Sequence, residues 1–191
     1  MESDKSQQIN KKENFWKPIL VWGLLAILLR WQVLEPRWIP SGSMLPTLQI
    51  QDRILVEKIK PRVNLALHKH LKRSTLVIFK PPQPLINAGY DKNEALIKRV
   101  VGIPGDEIEV HEGKLFRNKE IVEEPWIKER IRYEMKPIIV PLDSLWVLGD
   151  NRNNSLDSHL WGPLPESNVI GTAVFKYWPL NKAKFIRFPT H

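Results

Sequence analysis

One continuous apolar stretch stands near the amino terminus, and short apolar segments fill the rest of the chain. Pro18 to Leu29 are twelve uncharged, mostly apolar residues, fewer than the about 20 helical residues that a bilayer core requires. Extending the run to Trp16–Leu34 gives 19 residues with Lys17 and Arg30 near its ends, where long basic side chains can reach water. We therefore expect a transmembrane anchor over residues 16–34.

A cleaved export signal is the alternative interpretation of this run, because a basic lead before an apolar core is typical of one. No small-x-small site follows, and Arg30-Trp31-Gln32-Val33-Leu34 is a poor context for cleavage, so we favour the retained anchor. Basic residues flank both sides of the run and give only a weak orientation signal. The short tail 1–15 favours a cytoplasmic amino terminus and an extracytoplasmic domain over residues 35–191.

From about Pro36 onward, turn residues separate the short apolar segments. Several segments alternate apolar with polar residues, which is typical of half-buried strands. Gly102-Ile103-Pro104-Gly105-Asp106 carries a type II turn signal, and Glu112-Gly113 predicts a hairpin tip. The pattern predicts a mostly β domain, a barrel or a sandwich. The predicted strands are Arg53–Ile59, Thr75–Phe79, Ala95–Val101, Glu107–Val110, Lys114–Phe116, Ile138–Val140, Ser144–Leu148 and Val169–Tyr177.

The composition of the chain limits the classes of partner that it is expected to bind. The 29 Lys and Arg against 21 Asp and Glu give a formal net charge of +8, which favours an anionic partner. No segment interleaves aromatic with basic residues as a nucleic-acid surface would, so we expect membrane lipid and no nucleic acid. The basic segment from Lys58 to Arg73 is interpreted as a solvated face, with a membrane-surface patch as the alternative. The absence of Cys excludes disulfides, thiol catalysis and Cys-ligated zinc.

Three segments carry candidate chemistry. Ile39-Pro40-Ser41-Gly42-Ser43-Met44-Leu45-Pro46-Thr47-Leu48 is, taken alone, a Ser/Gly/Pro loop that could be a simple linker. The segment from Leu96 to Asp106 places one lysine, Lys98, inside an apolar strand. The polar loop from Gly149 to Gly162 follows a strongly apolar strand, a position where functional groups are often mounted.

In this order, the three segments resemble the motifs of the bacterial type I signal peptidase family, from the anchor to about Trp178. The resemblance implies a signal-peptidase-like β-barrel or sandwich catalytic domain behind one transmembrane helix. It also implies a membrane-bound serine endopeptidase that removes signal peptides from exported preproteins after small residues. Signal peptides and membrane lipid are the partners it implies.

The resemblance also implies roles for particular residues. Ser43 matches the family's nucleophile and Lys98 its general base. The Ser41 hydroxyl matches the group that forms the oxyanion hole together with the Ser43 backbone N–H. Ser155 matches a serine that hydrogen-bonds and orients the lysine, and Asp157 matches a supporting carboxylate in the same loop.

The chemistry of a Ser/Lys pair depends on the pKa of the amine. A hydroxyl is a weak nucleophile until a base takes its proton, and lysine is a base only when neutral. At an ordinary pKa of about 10.4, roughly one lysine in 2,500 is neutral at pH 7. A pKa of about 8 makes roughly a tenth neutral, for about 3 kcal/mol of destabilised ammonium. Burial among the neighbours Met44, Leu96, Ile97 and Val100 would supply this shift.

Other arrangements stay open at this point. Asp157 and His159 would share a face of an extended strand, so a Ser43–His159–Asp157 triad is an alternative. His68 and His70 could share a metal, but no carboxylate cluster accompanies them, and we expect neither a metal nor a cofactor. Two other functions are a self-cleaving Ser/Lys regulator and a catalytically inactive membrane-tethered binding domain.

Two positions depart from the family's pattern. His159 stands where the family usually has Arg, so its pairing with Asp157 would depend on pH. Arg73-Ser74-Thr75 stands where the family has Arg-Gly-Asp. Both changes bear on loop stability rather than on the Ser/Lys pair.

The alternative of a self-cleaving regulator is less favoured, because such regulators cut an Ala-Gly bond upstream of the serine, whereas Ala88-Gly89 lies after Ser43.

Overall fold

The computed structural model describes residues 16–27, 33–67 and 69–186. Contacts divide the chain into two compact units, Met1–Glu35 and Pro36–His191. In the first unit, residues 16–27 form helix α1 with exposed side chains. In the part of the chain that the structure describes, no helix combines the length and the apolar character needed to cross a bilayer.

The predicted anchor is wrong at its carboxyl end. Leu34 begins a strand, β1, instead of ending a helix. The predicted tail 1–15 and residues 28–32 of the predicted anchor lie outside the described residues.

The second unit is mostly β, as the alternation of apolar and polar residues predicts. Strands account for most of its regular structure, and the helices are short. The strands are β1 Leu34–Trp38, β2 Arg53–Glu57, β3 Leu76–Phe79, β4 Leu96–Gly102, β5 Glu107–His111, β6 Lys114–Arg117, β7 Glu120–Ile121, β8 Met135–Ile139, β9 Ser144–Leu148, β10 Leu164–Pro165, β11 Val169–Trp178 and β12 Lys184–Phe185, and the helices are α2 Ile59–Ala66, α3 Gln83–Asn87 and α4 Ser158–Trp161.

The described strands form two sheets. The larger has the order β1-β2-β11-β3-β4-β9-β10, with β12 beside β11, and the smaller has the order β7-β6-β5-β8. The larger sheet buries both faces of β3: Leu76 and Ile78 belong to one apolar cluster, and Val77 and Phe79 to another. Successive strand residues point to opposite faces, so β3 and its neighbour β4 run through the middle of the core. That position gives a residue on β4 a water-poor environment.

All eight predicted strands are present, with shifts of one to three residues at several ends. The turn signals are also confirmed. Asp106 N donates to Ile103 O at 3.0 Å, and Gly105 has φ +84°, as a type II turn requires. Glu112 and Gly113 have φ of +50° and +74° between β5 and β6, which matches a tight hairpin turn.

The segment that follows β2 differs from its prediction. Ile59 is not the end of a strand but the first residue of α2. Pro61 lies in the first turn of this helix, where its missing N–H has no intrahelical acceptor to lose. The Glu57 carboxylate accepts hydrogen bonds from the backbone N–H groups of Ile59 and Lys60, each at 2.8 Å. This capping explains why a helix begins directly after the strand.

Candidate active site

Ser41 and Ser43 lie on the turn that follows β1. Gly42–Met44 form one 3₁₀ turn, which Leu45 N closes by donating to Gly42 O at 3.1 Å. Met44, together with Ile39 and Leu48, is buried in the apolar cluster beneath the turn. These apolar residues hold the turn against the sheet and leave Ser43 half-buried at its surface.

Lys98 lies in β4, opposite Val77 of β3. Its Nζ donates a hydrogen bond to Ser43 Oγ at 2.9 Å, and Ser41 Oγ lies 3.4 Å from the same Ser43 oxygen. Lys98 is only 4% exposed. The fold thus brings together three of the residues that the sequence singled out, from segments 55 residues apart.

Burial lowers the pKa of Lys98 to about 8, and the negative charges of Asp157 and Asp150 oppose this shift. Desolvation is the larger effect because an ammonium group loses its hydration among apolar side chains. At a pKa of about 8, roughly one Lys98 in ten is neutral at pH 7. A neutral amine at 2.9 Å from a hydroxyl oxygen can accept the hydroxyl proton.

Asp157 is fully buried and organises the polar loop. Its Oδ2 accepts a hydrogen bond from Gly149 N at 2.8 Å. Its Oδ1 accepts one from His159 N at 3.3 Å, at the start of α4, and pairs with His159 Nδ1 at 2.7 Å. The His159 ring stacks on Tyr133 with centroids 4.1 Å apart. In the described part of the chain no hydrogen bond joins His159 to Ser43, so the alternative triad lacks the link between its serine and its histidine.

Ser155 packs against Gly149, the residue that follows β9. A Cβ built at Gly149 would stand 2.1 Å from Ser155 Oγ and 2.6 Å from Ser43 O. Ser155 Oγ is buried and has no hydrogen-bond partner among the described residues. The structure therefore places Ser155 within the site but forms no bond from it to Lys98, and its orienting role stays a prediction.

Two buried ion pairs beside the site were missed by the sequence reasoning. Arg99, the residue after Lys98, donates from Nε and Nη2 to Asp150 at 2.7 and 2.6 Å, and its guanidinium lies 4.3 Å from the Trp126 ring centroid. Arg152 binds Glu124 with two nitrogens and donates from Nε to Gly149 O at 3.0 Å. The partners lie 51 and 28 residues apart, so no local pattern reveals them. For Arg99 the available signal was a charged residue inside an apolar strand, whereas Arg152 stands in a polar loop and gave no such signal.

A cleft of about 420 Å³ opens onto Ser43 and Lys98. β9 pairs with β4 only from Arg99 onward, whereas β3 pairs with β4 from Leu96. In the described chain, the first half of β4 therefore has a strand on one side and the cleft on the other. The cleft is lined by Pro40, Ser41, Gly42, Ser43, Tyr90, Glu94, Ala95, Leu96, Ile97, Lys98, Asn154 and Leu156.

His70, one of the two histidines of the alternative metal site, is not among the residues that line this cleft. His70 Nδ1 pairs with Glu166 Oε1 at 2.8 Å, and His68 lies outside the described residues. Within the ranges that the structure describes, no three side chains of the metal-binding types converge.

A buried lysine in hydrogen-bonding contact with a serine is the arrangement that a Ser/Lys peptidase mechanism would require. Comparison with known proteins gives the same class. The family model described as "Signal peptidase, peptidase S26" matches residues 12–178. The chain therefore belongs to the signal peptidase family, peptidase S26, and is a serine endopeptidase.

Three relatives illustrate the similarity. The chain is 44% identical over 173 residues to the probable signal peptidase I-1 of Synechocystis sp., covering 90% of this chain and 84% of that protein. It is 45% identical over 159 residues to signal peptidase I of Leptolyngbya laminosa, covering 83% and 76%. It is 46% identical over 167 residues to the probable thylakoidal processing peptidase 2, chloroplastic, of Arabidopsis thaliana, covering 85% of this chain and 43% of that longer protein.

Proposed function

We propose that this protein cleaves signal peptides from exported preproteins after small residues, with Ser43 as nucleophile and neutral Lys98 as general base. The observation that carries the proposal is the 2.9 Å contact between Lys98 Nζ and Ser43 Oγ, made by an amine that is 4% exposed. This contact also argues against an inactive binding domain, which would have no reason to bury an amine against a hydroxyl.

The reaction has two stages. In the first, neutral Lys98 accepts the Ser43 proton while Ser43 Oγ attacks the scissile carbonyl carbon. The oxyanion accepts hydrogen bonds from the Ser41 hydroxyl and the Ser43 backbone N–H. The carbon–nitrogen bond then breaks, and the Lys98 ammonium protonates the leaving amine. In the second, Lys98 takes a proton from water, the hydroxide attacks the ester, and Ser43 recovers its proton as the acid leaves.

The substrate is proposed to bind as an added strand. An extended peptide can hydrogen-bond to an open strand edge and place alternate side chains in pockets. The Leu96–Lys98 half of β4 offers such an edge because β9 pairs only from Arg99. Ile97, Leu96 and Ala95 line the cleft beside it. Shallow apolar walls of this kind favour small residues at the first and third positions before the cleaved bond.

The proposed location is a membrane, with one span that begins at residue 16 and ends before β1, and the catalytic domain on the extracytoplasmic side. Exposed apolar residues of the second unit support contact with lipid. Trp38, at the end of β1, and Trp178, at the end of β11, line one cleft, and both are exposed, as are Leu180 and Phe185 beyond β11. Exposed indoles are favoured at the membrane–water interface. Trp38 precedes Ser41 by three residues, so lipid contact here would keep the site near emerging substrates.

The test is cleavage of a preprotein in detergent by the full chain and by Ser43→Ala and Lys98→Ala. Both variants are expected to lose cleavage by at least about 1,000-fold, since each removes a member of the reacting pair, while circular dichroism shows an unchanged fold. Lys114→Ala is the matched control, because Lys114 is an exposed strand lysine of the smaller sheet. Cleavage retained in either site variant would reject the Ser/Lys mechanism.

A further inference from the structure

One residue of the polar loop makes two hydrogen bonds to the nucleophile turn. Asn151 Nδ2 donates to Gly42 O at 3.1 Å, and Asn151 N donates to Ser43 O at 3.0 Å. These bonds reach the two peptide groups on either side of the Ser43 Cα. No role in the reaction scheme above uses Asn151.

The first of these bonds acts on the peptide group that carries the proposed oxyanion donor. Gly42 C=O and Ser43 N–H belong to one peptide unit, which is planar and nearly always trans. Fixing the direction of the carbonyl therefore fixes the direction of the N–H on the opposite side. We propose that Asn151 is a positioning residue for the oxyanion hole, which holds the Gly42–Ser43 peptide so that the Ser43 N–H faces the reacting carbonyl. The proposal rests on the function proposed above.

The same bond also strengthens the donor. Gly42 O accepts from Asn151 Nδ2 and from Leu45 N, each at 3.1 Å, so both lone pairs of this carbonyl are engaged. Hydrogen bonds to a carbonyl polarise the amide, and bonds in such a chain strengthen one another. The Ser43 N–H lies in the first turn of a helical segment, where the N–H groups have no intrahelical acceptor. It can therefore bind the substrate oxygen.

Asn151 is mounted rigidly enough to perform this role. Asp150 before it is held by Arg99, and it accepts a bond from Thr47 Oγ1 at 2.5 Å. Arg152 after it is fully buried and is held by Glu124 and Gly149 O. A group that orients a catalytic donor must itself be locked by its neighbours. Two buried ion pairs on either side of Asn151 provide that lock.

The experiment compares the full chain with Asn151→Ala, Asn151→Asp and the control Asn153→Ala, using a preprotein substrate in detergent. Asn153 lies in the same loop, but its side chain bonds Arg132 N, Arg130 O and Glu129, away from the nucleophile turn. Removing a direct oxyanion donor costs about 100- to 1,000-fold in kcat. Removing the residue that orients the donor is expected to cost about 10- to 100-fold, with KM changed by less than about 2-fold.

Three further readouts separate positioning from stability. Asn151→Ala should keep the wild-type dependence of the cleavage rate on pH, because Lys98 is unchanged. Its affinity for a peptide boronate, which forms a tetrahedral adduct with the serine, should fall about as much as kcat. Asn151→Asp keeps the shape of the side chain while placing an acceptor against Gly42 O, so it should lose at least as much kcat even if the alanine variant folds poorly.

Wild-type kcat in both Asn151 variants, or an equal loss of kcat in Asn153→Ala, would overturn the proposal. Ser43→Ala is assayed alongside. If Ser43→Ala is inactive while the Asn151 variants turn over normally, only the positioning role fails. If Ser43→Ala retains cleavage, the proposed mechanism fails first, and the positioning role fails with it.

Discussion

Asp157 opposes the effect of burial on Lys98: desolvation lowers the pKa of the lysine to about 8, and the buried Asp157 carboxylate is the largest influence raising it. The same carboxylate caps α4 and accepts a hydrogen bond from the Gly149 backbone, so it also has a structural role. The site thus combines a low-dielectric environment that favours a neutral base with a structural charge that disfavours it. Activity should therefore depend strongly on pH.

The first prediction concerns the pH dependence of cleavage. In the proposed mechanism neutral Lys98 is the active form, so kcat/KM of the wild type should rise with pH and level off above a pKa of about 8. The neutral fraction grows from roughly a tenth at pH 7 to roughly nine tenths at pH 9. The measurement is initial rates of preprotein cleavage from pH 6 to 10. A profile that is flat across this range would contradict the role of Lys98 as base.

Asp157→Asn tests the direction of the electrostatic effect. The substitution removes the negative charge that raises the Lys98 pKa and keeps the shape of the side chain. The rising limb of the rate profile should therefore move to lower pH, even if the maximal rate falls because the polar loop is less well held. A limb that moves to higher pH would show that another group titrates.

The second prediction is that Lys98→Met abolishes cleavage and stabilises the fold. Burying the ammonium costs free energy, and Met has a similar volume with no charge to desolvate. Since the pKa falls from about 10.4 in the unfolded chain to about 8 in the fold, the gain at pH 7 should be on the order of 1–3 kcal/mol. Urea unfolding monitored by circular dichroism measures it.

The pH dependence of this gain gives the control. Between pH 8 and about 10.4 the unfolded wild type binds more protons than the folded form, so wild-type stability from this group rises with pH. The advantage of Lys98→Met should therefore shrink across that window. A variant that is less stable than the wild type at pH 7 would mean that the hydrogen bond to Ser43 outweighs the desolvation cost.

Much of the fold could be predicted because its signals are local. Arg53–Glu57 holds three consecutive aliphatic residues between charged ends, and Gly105 and Gly113 stand where positive φ is needed. The helix α2 could not, because Glu57 caps it from the preceding strand. The apolar run predicts that Leu34 belongs to the anchor, whereas it is the first residue of β1, which pairs with β2 in the larger sheet.

Part of the candidate site could likewise be predicted from local motifs, and part of it could not. Ser43 and Lys98 stand in motifs that can be read from the sequence, and their 2.9 Å contact agrees with the pairing that the motifs imply. Asn151 cannot be found this way, because it contacts Gly42 across 109 positions and Asn is common in loops. The ion pair of Arg152 with Glu124 is equally hidden, since it depends on how the loop after β7 packs against the site.

The third prediction concerns Gly149→Ala. A Cβ at this position would stand 2.1 Å from Ser155 Oγ and 2.6 Å from Ser43 O, so the polar loop or the nucleophile turn must shift. Overpacking of this kind costs about 1–3 kcal/mol, and a displaced Ser43 should reduce kcat by at least about 10-fold. Thermal unfolding and cleavage rates measure the two effects.

Gly105→Ala is the control for the third prediction. Gly105 has φ +84° with open space around it, so Ala there brings backbone strain of about 1 kcal/mol without a clash. It should lower stability and leave kcat unchanged. Equal kcat in Gly149→Ala and the wild type would show that the close approach of Ser155 and Ser43 at Gly149 does not matter for the reaction.

The fourth prediction separates the Ser/Lys pair from the alternative triad by means of His159→Ala. The structure bonds His159 to Asp157 but not to Ser43, so the variant should retain substantial cleavage. Removing the imidazole takes a donor from the Asp157 carboxylate, whose charge then acts more fully on Lys98. The rising limb of the rate profile should move to higher pH, with activity reduced at pH 7 and close to that of the wild type at pH 10.

His111→Ala is the matched control, because that ring also stacks on an aromatic, Phe116, with centroids 3.9 Å apart, and it should leave the profile unchanged. A loss of cleavage at every pH, as large as that of Ser43→Ala, would instead make His159 the general base.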